Sequence, residues 1–222
     1  SRISINPQTM QQKTLDCIGR KHTVEDIRQV YAMARELGFE NINMDLIAGL
    51  PGETLDDMKD TLRQIEMFAP DSLTVHALAM KRASRLTQEK REGSYQGNDQ
   101  ADSAAMLSEM IELAAEYAGK MQLVPYYLYR QKNIAGNFEN VGYAKVDKAG
   151  IYNILIMEEK QSIVAVGAGA STKIVLPKEK TLIDEKTGNP KQIVRTENVK
   201  DVEQYINRID EMIERKGEWL WH

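Results

Sequence analysis

The chain has 222 residues, of which 42% are hydrophobic and 28% are charged, and its formal net charge is −4. This balance is typical of a folded protein with one or two hydrophobic cores. Lys and Arg form no basic stripe, which argues against nucleic acid as a partner. The longest apolar stretches, such as 162–170, are too short to cross a bilayer, and no basic-then-apolar leader opens the sequence. We therefore expect a cytoplasmic protein without a membrane partner.

The few potential metal ligands are scattered along the chain. Cys17 is the single cysteine, and the three histidines are His22, His76 and His222. A single thiol excludes an intrachain disulfide and is typical of a reducing compartment. These residues cannot supply the ligands of an iron–sulfur cluster or a closed zinc site, so we expect no metal bound by this chain alone. Cys17 lies among apolar neighbours in a predicted helix, which indicates a buried, inert thiol.

The first 80 residues predict strands that alternate with helices. Thr23 and Thr54 are good N-caps, and Gly38 follows the periodic apolar residues of one helix as a stop. Strands and helices that alternate at this pace favour parallel βαβ units. The predicted strands cover residues 2–6, 41–48 and 71–80, and the predicted helices cover residues 10–18, 24–37 and 55–68.

The sequence changes character after residue 80. Residues 81–100 are polar and contain two glycines, which indicates a surface loop, and residues 102–120 have helical spacing. Short strands follow, the last two joined as a hairpin by a turn at 187–190, and an amphipathic helix closes the chain at 199–215. The predicted strands cover residues 123–129, 151–158, 162–166, 174–176, 181–184 and 192–196. The predicted domains are therefore 1–80, a connecting loop and helix at 81–120, and a β-rich, antiparallel α+β domain at 121–222.

Polar side chains alternate with apolar ones in two of the predicted parallel strands. They are Ser4 and Asn6 in the first strand, with Gln8 just beyond it, and Asn43 and Asp45 in the second strand. A parallel strand covered by helices on both sides would be apolar on both faces. The pattern fits either a barrel-like lumen that binds a polar ligand or half-exposed strands of an open sheet.

A glycine-rich turn, Gly49-Leu50-Pro51-Gly52, follows the second of these strands, at the carboxyl end where ligands bind to α/β sheets. Its glycines either let the backbone approach a ligand or simply form a turn. Arg20, at the end of the first helix, is either a fork for a carboxylate or a solvated surface residue, and the residue alone favours the surface. We interpret His22 and His76 as surface or core residues rather than ligands.

Several segments of the chain occur together in a familiar order. They are Arg2-Ile3-Ser4, Gln8, Arg20, the run from Asn43 to Thr54, Pro70-Asp71-Ser72-Leu73, and residues 127–133, 139–144 and 166–171. Together they resemble the oxygen-independent coproporphyrinogen III oxidase family of radical S-adenosylmethionine enzymes. The pattern Asp-Leu-Ile-x-Gly-Leu-Pro-Gly-x-Thr is quite specific to that family, and the last three segments are similar to its HemZ-type branch.

The resemblance implies an α/β fold, with the last three βα units of a (β/α)6 radical S-adenosylmethionine partial barrel followed by the β-rich α+β domain. In that family a Cys-x-x-x-Cys-x-x-Cys loop ligates a [4Fe–4S] cluster, and an electron from the cluster cleaves S-adenosylmethionine to a 5′-deoxyadenosyl radical. The radical abstracts hydrogen from substrate propionates, which then lose carbon dioxide. The expected cofactors of the full-length protein are therefore S-adenosylmethionine and a [4Fe–4S] cluster. The cluster ligands are absent from this chain, so we expect it to be inactive alone.

The same resemblance implies four site residues. Gln8, Arg20, Asp45 and Ala79 match family positions that bind S-adenosylmethionine. An Arg suits a carboxylate, and Asp and Gln suit ammonium or ribose hydroxyl groups, whereas Ala79 would contribute through its backbone. The resemblance assigns no catalytic residue in this chain.

The implied function is anaerobic oxidative decarboxylation of coproporphyrinogen III to protoporphyrinogen IX in haem biosynthesis. The implied partners are a tetrapyrrole substrate and an electron donor such as flavodoxin or ferredoxin. The alternative is a haem-binding trafficking protein, because a close branch of the family carries haem. That branch has a His-Asn-x-x-Tyr-Trp segment where residues 138–144 contain neither His nor Cys, which favours the enzyme. A radical S-adenosylmethionine enzyme with another substrate is a third possibility.

Overall fold

The computed structural model describes residues 1–78, 100–130, 139–184 and 187–221. The chain divides into two compact units, Ser1–Gly150 and Ile151–His222, which we call the N-terminal and C-terminal units. No helix within the described ranges is long and apolar enough to cross a membrane. The loop predicted at 81–100 lies outside the described residues except for its last position.

The N-terminal unit is built on a five-stranded mixed sheet. Its elements are β1 (Arg2–Gln8), α1 (Gln12–Cys17), α2 (Val24–Glu36), β2 (Asn41–Ala48), α3 (Leu55–Phe68), β3 (Ser72–Ala77), α4 (Gln100–Lys120), β4 (Val124–Arg130) and β5 (Glu139–Ala144). The first three strands are parallel, β5 runs antiparallel to β3, and β4 runs antiparallel to β5. The strand order is β1-β2-β3-β5-β4. The three parallel strands predicted from the sequence are therefore confirmed.

Capping and apolar spacing explain where the helices begin and which face of the sheet they cover. Thr23 and Thr54 each form a capping box, with Asp26 and Asp57 respectively, at the first turns of α2 and α3. Apolar side chains from the helices and from alternate strand positions form one core. Its fully buried side chains include Leu15, Ile42, Met44, Leu46, Met58, Leu62, Ile65, Leu73 and Met110. The other face of the parallel strands carries the polar side chains.

Asp71 ties the start of β3 to the elements around it. Its buried carboxylate accepts a hydrogen bond from the Ile42 amide at 3.0 Å. It also forms ion pairs with Arg35 of α2 at 2.8 Å and with Lys145 at 3.2 Å. Burial raises the pKa of Asp71, but these donors outweigh burial and hold the pKa below its ordinary value. The carboxylate is therefore charged at neutral pH.

Strands β4 and β5 belong to the N-terminal unit, whereas the sequence assigns residues 121–222 to a separate domain. Residues 72–75 of β3 pair with residues 141–144 of β5. The backbone N–H and C=O groups on the side of β3 away from β2 need hydrogen-bonding partners. Strand β5, which is distant in sequence, provides them by antiparallel pairing. No local sequence pattern marks that pairing. The two compact units therefore differ from the predicted ranges 1–80, 81–120 and 121–222.

The C-terminal unit combines short antiparallel strand pairs with helices. Its elements are α5 (Ile151–Met157), β6 (Ser171–Val175), a 3-10 turn (Lys178–Lys180), β7 (Leu182–Ile183), β8 (Pro190–Lys191), β9 (Ile193–Glu197), α6 (Val202–Asn207) and α7 (Ile209–Leu220). Strand β6 pairs with β9, and β7 pairs with β8. A small core forms from Ile174, Leu176 and Val194, against which Trp219 and Leu220 of α7 pack.

Two of the strands predicted in this unit are wrong. In the predicted strand 151–158, residues Ile151–Met157 form helix α5, because their apolar side chains fit helical spacing as well as they fit a buried strand. In the predicted strand 162–166, only Ile163 forms a bridge, to Lys173. Short apolar runs do not distinguish the two conformations without their tertiary partners.

The hairpin and the closing helix also differ from the prediction. Strand β7 pairs with Pro190–Lys191, and the strand predicted at 192–196 is β9, which pairs with β6 instead. The closing helix is interrupted at Arg208 and continues to Leu220, beyond its predicted end at residue 215.

Candidate functional site

Polar side chains from three neighbouring parallel strands lie on the sheet face opposite the helices. Register places Asn43 of β2 between Ser4 of β1 and Ser72 of β3. Asp45 lies beside Thr74 further along the same two strands. The Asn43 amide nitrogen donates to the Ser4 hydroxyl at 2.8 Å and to the Asp45 carboxylate at 2.5 Å. The Asn43 carbonyl accepts from the Thr74 hydroxyl at 3.1 Å, so these bonds fix both the amide and the carboxylate beside it.

Burial differs across this polar face. Asn43 and Thr74 are each 3% exposed and Asp45 is half-buried, whereas Ser4 and Asn6 on the edge strand are exposed. The two interpretations left open by the sequence thus apply to different parts of the face. It is covered at β2 and β3, as in a lumen, and open at β1.

Gln8 ends β1 in an unusual conformation. Its φ is 68°, in the left-handed region, and the residue is buried. Register places it opposite Leu46, next to Asp45 on the neighbouring strand, and its amide nitrogen donates to the Asn6 carbonyl at 3.2 Å. A non-glycine residue in this region costs about 1–3 kcal/mol, and such residues cluster at ligand sites. The structure therefore brings Gln8 and Asp45 to the same end of adjacent strands.

Glu53, which is not among the residues predicted from the sequence, holds the segment after Gln8. The Thr9 hydroxyl donates to the buried Glu53 carboxylate at 2.5 Å and lies 3.2 Å from the Thr61 hydroxyl. Burial raises the pKa of Glu53, although hydrogen bonds from Thr9 and Thr14 oppose that increase. Glu53 thus connects the turn after β2 to the turn after β1. The available signal was an acidic residue between a glycine turn and the N-cap Thr54.

The backbone conformation of the glycine-rich turn requires glycine at two of its positions. Gly49 has φ 82°, and a Cβ there would lie 3.2 Å from a methyl carbon of Leu107. Gly52 also has a left-handed φ, of 75°. The glycines therefore shape the turn that carries Glu53, whether or not a ligand approaches it.

His76 of β3 belongs to the polar face, although its sequence context predicts a surface or core residue. It is partly buried, and burial lowers its pKa while the nearby Asp45 carboxylate opposes the decrease. The imidazole is therefore neutral at neutral pH. Its alternation with Ser72 and Thr74 was the signal that could have placed it on this face.

The other two predicted site residues, Arg20 and Ala79, add no described contact to the polar face. The Arg20 amide closes α1 by donating to the Leu15 carbonyl at 2.9 Å, and its exposed guanidinium has no hydrogen-bonding partner in the described part of the chain. Ala79 lies outside the described residues.

Cys17 is exposed, so the prediction of a buried thiol is wrong. The reason is that six-residue α1 buries only Thr14 and Leu15.

The residues present suit S-adenosylmethionine in type. Asp45 offers a fixed carboxylate to hydroxyl or ammonium groups, Gln8 offers an amide, and Arg20 offers a guanidinium to a carboxylate. Their roles as ligands of that molecule stay predictions. The single thiol of Cys17 does not provide the three cysteines of a [4Fe–4S] site.

Comparison with known proteins defines the class of this chain. Residues 1–65 match the family model described as the radical SAM superfamily. The fold is similar to that of coproporphyrinogen III oxidase (HemN) from Escherichia coli, a radical SAM enzyme, with a TM-score of 0.63 and 18% identity. That similarity covers 95% of this chain and 43% of the E. coli chain. Residues 1–65 of the chain therefore belong to the radical SAM superfamily.

Two curated relatives narrow the assignment. The oxygen-independent coproporphyrinogen-III oxidase-like protein HemZ of Bacillus subtilis is 43% identical over 219 residues, which cover 99% of this chain and 40% of that protein. The heme chaperone HemW of Haemophilus influenzae is 25% identical over 213 residues, which cover 96% of this chain and 50% of that protein. Within the superfamily, the chain is therefore similar to the oxygen-independent coproporphyrinogen-III oxidase-like proteins. It spans half or less of the length of these relatives.

Proposed function

We propose that this chain is part of a radical S-adenosylmethionine enzyme that converts coproporphyrinogen III to protoporphyrinogen IX by oxidative decarboxylation without O2. The tetrapyrrole substrate is taken from the name of the Bacillus relative, which is 43% identical. The observation that carries the proposal is the end of the polar face. There Asn43 orients the Asp45 carboxylate, and the left-handed residue Gln8 pairs with Leu46, the residue that follows Asp45.

In this proposal the residues of the chain bind and orient S-adenosylmethionine. Asp45 accepts hydrogen bonds from ribose hydroxyls or from the ammonium group, because both of these groups are donors. Gln8 contributes its amide from a backbone position that the Thr9–Glu53 hydrogen bond holds. The Arg20 guanidinium forms charge-assisted hydrogen bonds with the carboxylate of S-adenosylmethionine. The bound cofactor supplies the radical chemistry, which requires a [4Fe–4S] cluster ligated outside this chain.

A haem chaperone is the second candidate function. The similarity to HemW of Haemophilus influenzae extends over 96% of the chain, which favours it. His76 provides a neutral, partly buried imidazole on the polar face, and neutral imidazole is a common iron ligand. Against it, residues 138–144 contain no His or Cys.

The test uses the complete protein that contains this chain, reconstituted anaerobically with iron and sulfide. With coproporphyrinogen III, S-adenosylmethionine and a reductant, it should form protoporphyrinogen IX, 5′-deoxyadenosine and methionine. Omitting the cofactor or the reductant should abolish the reaction. Asp45→Ala should reduce the yield, whereas Lys21→Ala, at an exposed position next to Arg20, should not.

Haem is offered to the same preparation. Stoichiometric haem binding without decarboxylation would replace the enzyme by the chaperone. Formation of 5′-deoxyadenosine without decarboxylation or haem binding would indicate a radical enzyme with another substrate.

A further inference from the structure

Tyr127 of β4 reaches the polar face from two strands away. Its ring lies on Gly142 of β5, where a side-chain Cβ would collide with the ring carbons of Tyr127. Gly142 pairs with both Tyr127 and Thr74, so the ring crosses β5 toward β3. Only glycine leaves space for the ring at this position.

Hydrogen bonds lead to the candidate site from Thr74, the residue that the Tyr127 ring approaches. The Thr74 side chain is close enough to lower the pKa of Tyr127, against the larger effect of burial. The Thr74 hydroxyl donates to the Asn43 carbonyl at 3.1 Å, and the Asn43 amide donates to the Asp45 carboxylate at 2.5 Å. Because Thr74 gives its one hydroxyl proton to Asn43, a hydrogen bond between the two hydroxyls requires Tyr127 as its donor. Donation would then run from Tyr127 through Thr74 and Asn43 to Asp45.

We propose that Tyr127 is a positioning residue of the S-adenosylmethionine site, which orients the Asp45 carboxylate through Thr74 and Asn43. This inference rests on the proposed function, because it assumes that Asp45 binds the cofactor. It assigns a role to a residue outside the three parallel strands. Burial raises the pKa of Tyr127, so the phenol is protonated at neutral pH and able to donate.

This arrangement predicts the effect of two substitutions on S-adenosylmethionine binding. Tyr127→Phe keeps the ring and removes the hydroxyl that faces Thr74, so the Thr74 side chain loses one of the contacts that orient it. Gly142→Ala displaces the ring itself. Tyr143→Phe is the matched control, because Tyr143 is the next residue of β5 and is buried in the helix-facing core. It removes a hydroxyl on the opposite face.

The experiment measures S-adenosylmethionine affinity of the complete, reconstituted protein by equilibrium dialysis. Tyr127→Phe should weaken binding by about three- to tenfold, the worth of one neutral hydrogen bond, which corresponds to about 0.6–1.4 kcal/mol. Gly142→Ala should weaken binding at least as much, and Tyr143→Phe should leave it unchanged. If Gly142→Ala fails to fold, the Tyr127→Phe and Tyr143→Phe pair still decides.

A double-mutant cycle with Asp45→Ala separates positioning from general stability. If Tyr127 acts through Asp45, Tyr127→Phe should cause no further loss of affinity in the Asp45→Ala background. An equal loss in both backgrounds, or no loss in either, would overturn the inference and leave the proposed function intact. Absence of S-adenosylmethionine binding by the wild-type protein would overturn both.

Discussion

Replacing Glu53 tests whether the link between the two turns is needed for the fold. Glu53→Ala removes the acceptor of the Thr9 hydroxyl in a buried environment. A buried donor left without a partner costs about 1–3 kcal/mol, so the free energy of unfolding should fall by about that amount. Glu53→Gln keeps an acceptor of the same size and should cost less than about 1 kcal/mol at pH 7, because it also removes the cost of burying a charge.

The pH dependence gives an independent check of the same residue. Burial raises the folded-state pKa of Glu53 above its ordinary value of 4.5. Between pH 4.5 and the raised folded-state pKa, the folded state therefore binds more protons than the unfolded state. The free energy of unfolding decreases as the pH rises through this range. Relative to Glu53→Gln, the wild type should lose stability from pH 4.5 upward.

Urea unfolding of the 222-residue chain, followed by circular dichroism between pH 4 and pH 8, measures both effects. The same variants in the complete protein report the effect on Gln8, since Glu53→Ala should weaken S-adenosylmethionine binding and Glu53→Gln should largely preserve it. The reasoning would be refuted if Glu53→Ala were as stable as Glu53→Gln. It would also be refuted if the wild type and Glu53→Gln had the same pH profile.

Two further predictions concern the ion pairs of Asp71 and the [4Fe–4S] cluster. Asp71→Asn should lower the free energy of unfolding by about 2–3 kcal/mol at pH 7, because Arg35 and Lys145 lose a charged partner. Since the folded pKa of Asp71 lies below its ordinary value of 3.8, this difference should disappear as the pH falls below that value, and a difference that persists in acid would contradict it. The isolated chain should not assemble a stoichiometric [4Fe–4S] cluster after anaerobic reconstitution, and Cys17→Ser should bind as much iron as the wild type. A full cluster in the wild-type monomer, read by absorbance and iron content, would refute this.

Local signals were sufficient for the parallel part of the fold. Strand 41–48 and helix 55–68 were predicted with the limits that the structure shows, because a capping threonine and a glycine turn mark them. The alternation of polar and apolar residues also placed Asn43 and Asp45 on one face. These features depend on neighbours within a few positions of the same strand or helix.

The rest of the candidate site depends on contacts between distant residues. Glu53 has its role only because Thr9, 44 residues away, folds against it. Tyr127 joins the face only because β5 pairs with the edge of β3, a register that no local pattern specifies. Likewise, α5 was predicted as a strand because a short apolar run fits both periodicities.

S-adenosylmethionine binding by the complete protein, reconstituted anaerobically, tests the central claim most directly. Equilibrium dialysis should show that Arg20→Ala weakens binding by about 1.5–3 kcal/mol, or roughly 10- to 150-fold, the worth of a hydrogen bond to a charged group. Asp45→Ala should also weaken binding, whereas Lys21→Ala should change it little. Unchanged affinity in both the Arg20 and Asp45 variants would contradict the account, because the polar end of the sheet would then not be the cofactor site.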